Sequence, residues 1–132
     1  MKSERIALPD TRAVGRLRER LRYWTKELDF PSIRATKVLT AASELARNTV
    51  IYGGGGEVFL ERIDGPRDKV GIRMRFVDQG PGIADLELAF TDGYTSGSGL
   101  GLGLSGARRL LGDLSVDTSP AGTTVEGTAW RR

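Results

Sequence analysis

The sequence contains no cysteine and no histidine among its 132 residues. Without cysteine there is no disulfide framework, no thiolate metal site and no thiol nucleophile. Without histidine the commonest general base, metal ligand and phosphoacceptor are lost together. Acid–base chemistry therefore falls to carboxylates, lysine or tyrosine. Long apolar runs are missing too: none reaches bilayer-spanning length, and the first residues lack the apolar segment of a secretory signal. The expectation is a soluble, cytoplasmic protein with no membrane partner. The formal net charge is +3, and much of the excess lies in "TRAVGRLRERLRYWTK". Those basic residues fall on the outer face of a helix, and no basic strand interleaved with aromatics accompanies them. That pattern reads as a solvated face rather than a nucleic-acid surface.

What the chain has in quantity is glycine, 18 residues. The length fits one domain over 1–132, able to bury about two-thirds of its unfolded surface in a two-layer core. Val14, Leu17, Leu21, Trp24 and Leu28 recur at helical spacing, with Asp10 as a cap before them. A second helix is predicted from near Pro31 and Ser32 to Tyr52, where "GGGG" stops it. The segments "EVFLERI" and "KVGIRMRFVD" read as strands joined by the turn-like "DGPRD". A polar loop follows, interrupted by "IADLELAF". A third helix opens at the glycine stretch with Leu104, Ala107, Leu110 and Leu111 inward. "LSVDTS" and "TTVEGTAW" close the chain as two strands. The predicted fold is α+β: a two-layer α/β sandwich whose mixed, mostly antiparallel sheet carries helices on one face.

The stretch "GSGLGLGLSGARRLLG" places Gly97, Gly99, Gly101 and Gly103 at alternate positions ahead of that third helix. A P-loop needs a lysine where Leu104 and Ser105 stand. "GLGLSG" matches a dinucleotide pattern, but it follows a polar loop instead of a strand. The remaining reading uses the helix itself: bare backbone at a helix N-terminus presents free N–H groups and a favourable dipole to a polyphosphate.

In "KVGIRMRFVDQGPGI" the residues Val70, Ile72, Met74 and Phe76 share one apolar face. Asp78 has the same parity, so the strand aims a carboxylate towards the layer between sheet and helices, beside a glycine turn. A carboxylate there suits the exocyclic amine of adenine, and capping of the following turn is its alternative role. On the second helix Lys37, Ala41, Glu44 and Asn48 form a stripe. Glu44 and Asn48 lie one turn apart. An amide oxygen suits Mg²⁺, which takes few protein ligands beside phosphates and water, and Glu44 is placed to accept a proton from an attacking hydroxyl.

Taken together, "ELARN", "DQGPGI", "GSGLGLGL" and "AGTTV" resemble, in order and spacing, the GHKL (Bergerat-fold) ATP-binding domain over nearly the whole chain. The resemblance implies the histidine-kinase-like ATPase fold, with ATP and Mg²⁺ as cofactors and Asn48 as the metal ligand. It implies Asp78 on adenine with Thr123 near it. It also implies Gly80, Gly82, Ile83, Gly99, Leu100, Gly101, Leu102, Gly103 and Leu104 around the nucleotide. Thr123 shares parity with Val125 and Ala129, which agrees. With no histidine-bearing dimerisation helix and no transducer domain, the chain looks most like the small bacterial serine/threonine switch kinases of the RsbT type, from the stressosome. That likeness implies phosphorylation of STAS-domain scaffold or antagonist proteins, with Glu44 as the catalytic base, and then activation of a downstream phosphatase. The alternative is a nucleotide-dependent binding module, an anti-sigma factor or phosphatase activator in which phosphotransfer is incidental. Related anti-sigma kinases often carry an arginine before the second glycine box. Here Gly97 stands there between Ser96 and Ser98, and Arg47 is the cation considered in its place. The polar content of residues 91–98 predicts a lid that orders when ATP and Mg²⁺ bind.

Overall fold

The computed structural model describes residues 3–83 and 103–132. Five strands form one sheet: β1 (Ser3–Leu8), β2 (Gly56–Asp64), β3 (Val70–Asp78), β4 (Leu114–Ser119) and β5 (Gly122–Trp130). Among the described residues three helices cover one of its faces: α1 (Ala13–Glu27), α2 (Ser32–Ile51) and α3 (Gly103–Leu111). The spatial strand order is β1-β2-β3-β5-β4.

Every neighbouring pair in the sheet is antiparallel, so the sheet is not mixed as the sequence suggested. The reason lies in the insertion of β5. The chain leaves β3, passes through α3 and returns along β4 in the direction of β3, but β5 folds back between them. The parallel relation survives only across that intervening strand.

The register turns the two-residue period of each strand into rows across the whole sheet. Ile6, Val58, Phe76, Val125 and Val116 pair successively into one such row facing the helices. Leu60, Met74, Gly127 and Leu114 form the next. Gly127 is a glycine for packing reasons, since a Cβ there would come within 2.8 Å of Leu111 and 3.0 Å of Leu114. Above these rows α1 lays down Val14, Leu17, Leu21 and Trp24, and α2 lays down Val38, Leu39, Ala42, Leu45 and Ala46, all buried. The alanines let α2 lie close to the sheet. The opposite face is charged and solvated, with Arg5 paired to Glu57, Arg73 to Glu61 at 3.0 Å, and Arg75 over the Phe59 ring.

Two departures from the sequence reading concern the N-terminal region. The first is β1, which the sequence reading did not contain: "SERIAL" is short and carries charges at Glu4 and Arg5, but Ile6 and Leu8 alternate inward. The second is Asp10, which does not cap α1. Its Oδ1 accepts the Arg12 amide and its carbonyl accepts the Ala13 amide, so it forms a turn ahead of a helix that has no side-chain cap. Of the basic residues on α1, Arg16, Arg22 and Lys26 are exposed as expected, whereas Arg18 and Arg20 are half-buried and engage Ser43 and Glu4. Among the described residues no helix is long and apolar enough to cross a membrane.

β1 is tied to α1 by one polar cluster. Glu4 accepts two hydrogen bonds from the Arg20 guanidinium, at 2.7 and 2.9 Å, and a third from Trp24 Nε1 at 2.9 Å. The Arg20 hydrogen bonds hold the Glu4 carboxyl below the ordinary glutamate range; partial burial opposes this and the Trp24 bond reinforces it. Glu4→Ala leaves the buried indole N–H of Trp24 without its acceptor and is expected to cost about 1–3 kcal/mol at pH 7. Because the folded-state pKa is lowered, this stability is fully present above the unfolded glutamate value of about 4.3 and is lost as pH falls through the lower folded value. Urea titrations of parent and variant from pH 7 to acid should therefore converge.

Candidate functional site

The row that follows Ile6, Val58, Phe76, Val125 and Val116 towards one end of the sheet has a different chemistry. Leu8, Gly56, Asp78, Thr123 and Thr118 pair in turn across the five strands. The parity that makes Phe76 a core residue also makes Asp78 point to the helix side, at the rim, where it is half-buried.

Bare backbone from three segments packs around Asp78, one against its carboxylate and the others against neighbouring main chain. A Cβ at Gly53, just past the end of α2, would lie 2.4 Å from Asp78 Cγ. One at Gly80 would lie 2.7 Å from Gly53 Cα, and one at Gly122 would lie 2.3 Å from the Asp78 carbonyl. Gly82, at φ +85°, would bring a Cβ to 2.2 Å from the Ser119 carbonyl. The turn after β3 is therefore pressed between the C-terminal end of α2 and the β4–β5 hairpin.

Polar contacts complete the fit. Asp78 Oδ1 accepts the Gly80 amide at 2.9 Å, so the turn-capping role is real. It uses one oxygen; Oδ2 accepts no hydrogen bond from the described residues. The Ile83 amide donates to Thr118 Oγ1 at 2.9 Å, and Thr118 Oγ1 is 2.8 Å from Thr123 Oγ1. Asp78, Gly80, Gly82, Ile83 and Thr123 thus lie close together at one end of the sheet.

The stripe on α2 reaches the same region from the helix side. Lys37 is exposed, Ala41 and Glu44 are buried, and Asn48 is half-buried. The Asn48 carbonyl accepts the Tyr52 and Gly53 amides, which links this turn of α2 to the glycine that touches Asp78. The Asn48 side-chain amide has no hydrogen-bond partner among the described residues, and its oxygen is a hard donor of the type that Mg²⁺ takes beside water and phosphate. No cluster of three or more acidic, histidine or cysteine ligands exists among the described residues, so a metal held there depends on its other ligands. Glu44 Oε1 accepts Arg47 Nη1 at 2.8 Å. Arg47, considered as a substitute for a lid arginine, is thus engaged with the carboxylate one turn before Asn48.

At the second glycine stretch, Gly103 opens α3 at φ +68° and Leu104 is buried in the core. Leu104 therefore offers backbone rather than side chain. Gly99, Leu100, Gly101 and Leu102, the lid at 91–98 and Gly97 within it lie outside the described residues. The sequence reading did not single out Gly53, Gly122 or Thr118. Thr118 was visible in principle, since it shares parity with Val116 and mirrors Thr123 across the "SPAG" turn.

Comparison with known proteins bears on the family and the fold. Residues 34–130 match the family described as histidine kinase-, DNA gyrase B-, and HSP90-like ATPase. The serine/threonine-protein kinase RsbT of Bacillus subtilis (strain 168) is 38% identical over 108 residues, covering 81% of this chain and 80% of that protein. Among solved structures, the RsbU and RsbW domains of Rv1364c from Mycobacterium tuberculosis align with 97% of this chain at a TM-score of 0.66 and 18% identity. This chain spans about a third of that one, 32%. The mycobacterial sensor histidine kinase MprB aligns at a TM-score of 0.56 and 19% identity, over 96% of each chain. The two structural likenesses bear on the fold.

The contact between Gly53 and Asp78 sets an expected contrast between two glycines. Gly53→Ala forces a methyl into the carboxylate and should destabilise the fold by about 1–3 kcal/mol. Gly15→Ala, where a Cβ meets nothing within 4 Å on the exposed face of α1, should stabilise it by roughly 0.5–1 kcal/mol. Thermal melts of the two variants check both signs.

Proposed function

The chain belongs to the histidine kinase-, DNA gyrase B- and HSP90-like ATPase family and, within it, to the RsbT type of serine/threonine-protein kinase. From that premise we propose that it transfers the γ-phosphoryl group of ATP to serine or threonine of STAS-domain scaffold or antagonist proteins in a bacterial partner-switching pathway, and then activates a downstream phosphatase.

The observation that carries this reading is a carboxylate seated among bare backbone, with one oxygen spent on the turn and a hydroxyl on the neighbouring strand. In this reading Asp78 Oδ2 accepts the exocyclic amine of adenine. Gly80 and Gly82 let the base approach the main chain, Ile83 lines it, and Thr123 stands beside it. The family resemblance assigns Gly99, Leu100, Gly101, Leu102, Gly103 and Leu104 to the phosphates, with backbone N–H groups and the α3 dipole as the attractive elements. Mg²⁺, which screens phosphate charge when bound, would be held from this chain by Asn48. Glu44 accepts the proton of the substrate hydroxyl as its oxygen bonds to the γ-phosphorus and the bond to ADP breaks. Arg47 orients the Glu44 carboxylate and keeps a positive charge beside it.

One observation favours a second reading. Because Arg47 holds a Glu44 oxygen, the pair also fits a nucleotide-dependent binding module in which phosphotransfer is incidental. Kinetics separate the two. Glu44→Gln should retain ATP binding but lower transfer from labelled ATP to STAS proteins of the same cell by about 10²–10⁴. Asn48→Ala should weaken Mg²⁺-dependent binding and transfer together. Transfer by Glu44→Gln at the parental rate rejects the base assignment and favours the binding module.

Adenine recognition has its own test. Asp78→Asn exchanges an acceptor for a group that also donates, and loss of a charge-assisted hydrogen bond should cost about 1.5–3 kcal/mol in ATP affinity. Calorimetry on the variant checks this, and GTP should bind the parent poorly.

A further inference from the structure

Three polar groups run in line from the turn after β3 to the hydroxyl beside Asp78. The Ile83 amide donates to Thr118 Oγ1, and Thr118 Oγ1 lies 2.8 Å from Thr123 Oγ1. Thr118 pairs with Thr123 across the β4–β5 ladder, and Thr123 pairs with Asp78 across β3–β5. The ladder supplies the strand hydrogen bonds, so closing the hairpin does not require a hydroxyl at 118; valine has the same shape.

We infer that Thr118 is a positioning residue that fixes which way the Thr123 hydroxyl points its proton, and so selects a purine carrying a 6-amino group. The inference rests on the reading that Asp78 takes the adenine amine.

A hydroxyl has one proton to donate and two lone pairs to accept with. Accepting the Ile83 amide polarises Thr118, which makes its own O–H a stronger donor and its remaining lone pair a poorer acceptor. The favoured chain therefore runs from Ile83 N–H to Thr118 and from Thr118 O–H to Thr123 Oγ1. The Thr123 proton is left to the space beside Asp78. The rim then offers an acceptor, Asp78 Oδ2, next to a donor, the Thr123 hydroxyl. Adenine presents the complement, an amino donor at position 6 next to an acceptor at N1, met directly or through a water. Hypoxanthine presents the reverse, an acceptor at position 6 and a donor at N1, and is mismatched to both. Without the Thr118 hydroxyl the Thr123 rotor is free to turn and offer a lone pair instead. Half of the discrimination then relaxes while the Asp78 half remains.

The test measures ATP and ITP dissociation constants by calorimetry for the parent, Thr118→Val, Thr118→Ser and Asp78→Asn, with a thermal melt for each. Thr118→Val should narrow the ATP-over-ITP preference by about threefold to tenfold, and Thr118→Ser should restore the parental ratio. Should Thr118→Val melt below the assay temperature, Thr118→Ala is expected to show the same narrowing. Equal losses for ATP and ITP, or a parental ratio in Thr118→Val while Asp78→Asn weakens ATP binding, overturn the role of Thr118 alone. Unchanged ATP binding in both Thr118→Val and Asp78→Asn overturns the adenine reading and this inference together.

Discussion

The Asp78 carboxylate fills the volume in which any side chain at residue 53 would stand. That exclusion forces the last turn of α2 and the end of β3 into direct contact of backbone with side chain. It brings Asn48 within the same few turns, because Asn48 accepts the amide of Gly53. It also leaves the turn after β3 little choice of residue. Gly80 abuts Gly53, while Gly82 and Gly122 abut the hairpin and the end of β3. A cluster of glycines usually weakens a fold by the conformational entropy each one loses. Here each is required by a close approach of chain segments, and the adjoining rows of Val58, Phe76 and Val125 supply the burial that offsets the loss.

Much of this was legible because periodicity survives folding. The inward parity of Asp78 and Thr123 could be read from Val70 to Phe76 and from Val125 and Ala129, and the register places both in one row. The stop of α2 followed from its glycines, two of which adopt positive φ. What periodicity cannot reveal is which strands become neighbours. The place of β5 between β3 and β4 depends on long-range pairing, and with it the antiparallel character of the whole sheet. β1 escaped notice because it is short, with Glu4 and Arg5 adjacent in it, and its partners on β2 lie 48 to 58 positions away in sequence. Gly53 owes its importance to a contact made only on folding, so no local pattern marked it, whereas the parity of Thr118 with Val116 was readable but names no partner by itself.

The lack of histidine has a structural counterpart on α2. A carboxylate is the strongest base available to the chain near neutral pH, and the one on this stripe is buried beside a guanidinium. Burying a lone carboxylate is costly, and pairing it with a cation offsets that cost. Arg47, one turn on along α2, supplies the partner, so Glu44 sits in the helix layer as one half of a hydrogen-bonded ion pair. Among the described residues no buried side-chain polar atom is left without a hydrogen bond, so this arrangement leaves no orphaned group in the described core.

The two ends of the sheet are built in opposite ways. At the end away from Asp78, Trp130 lies where side chains at Gly65 and Gly71 would collide with it, and Lys69 stands over its ring. Arg131 completes the closure by donating from its side chain to the Leu28 carbonyl and from its backbone to the Val70 carbonyl. The two ends of the sheet are thus closed by different materials: an indole ring under a cation at one end, and bare backbone pressed against a carboxylate and a pair of hydroxyls at the other. A side chain added at Gly65 or Gly71 would meet an aromatic ring, whereas one added at Gly53, Gly82 or Gly122 would meet a carboxylate or a carbonyl.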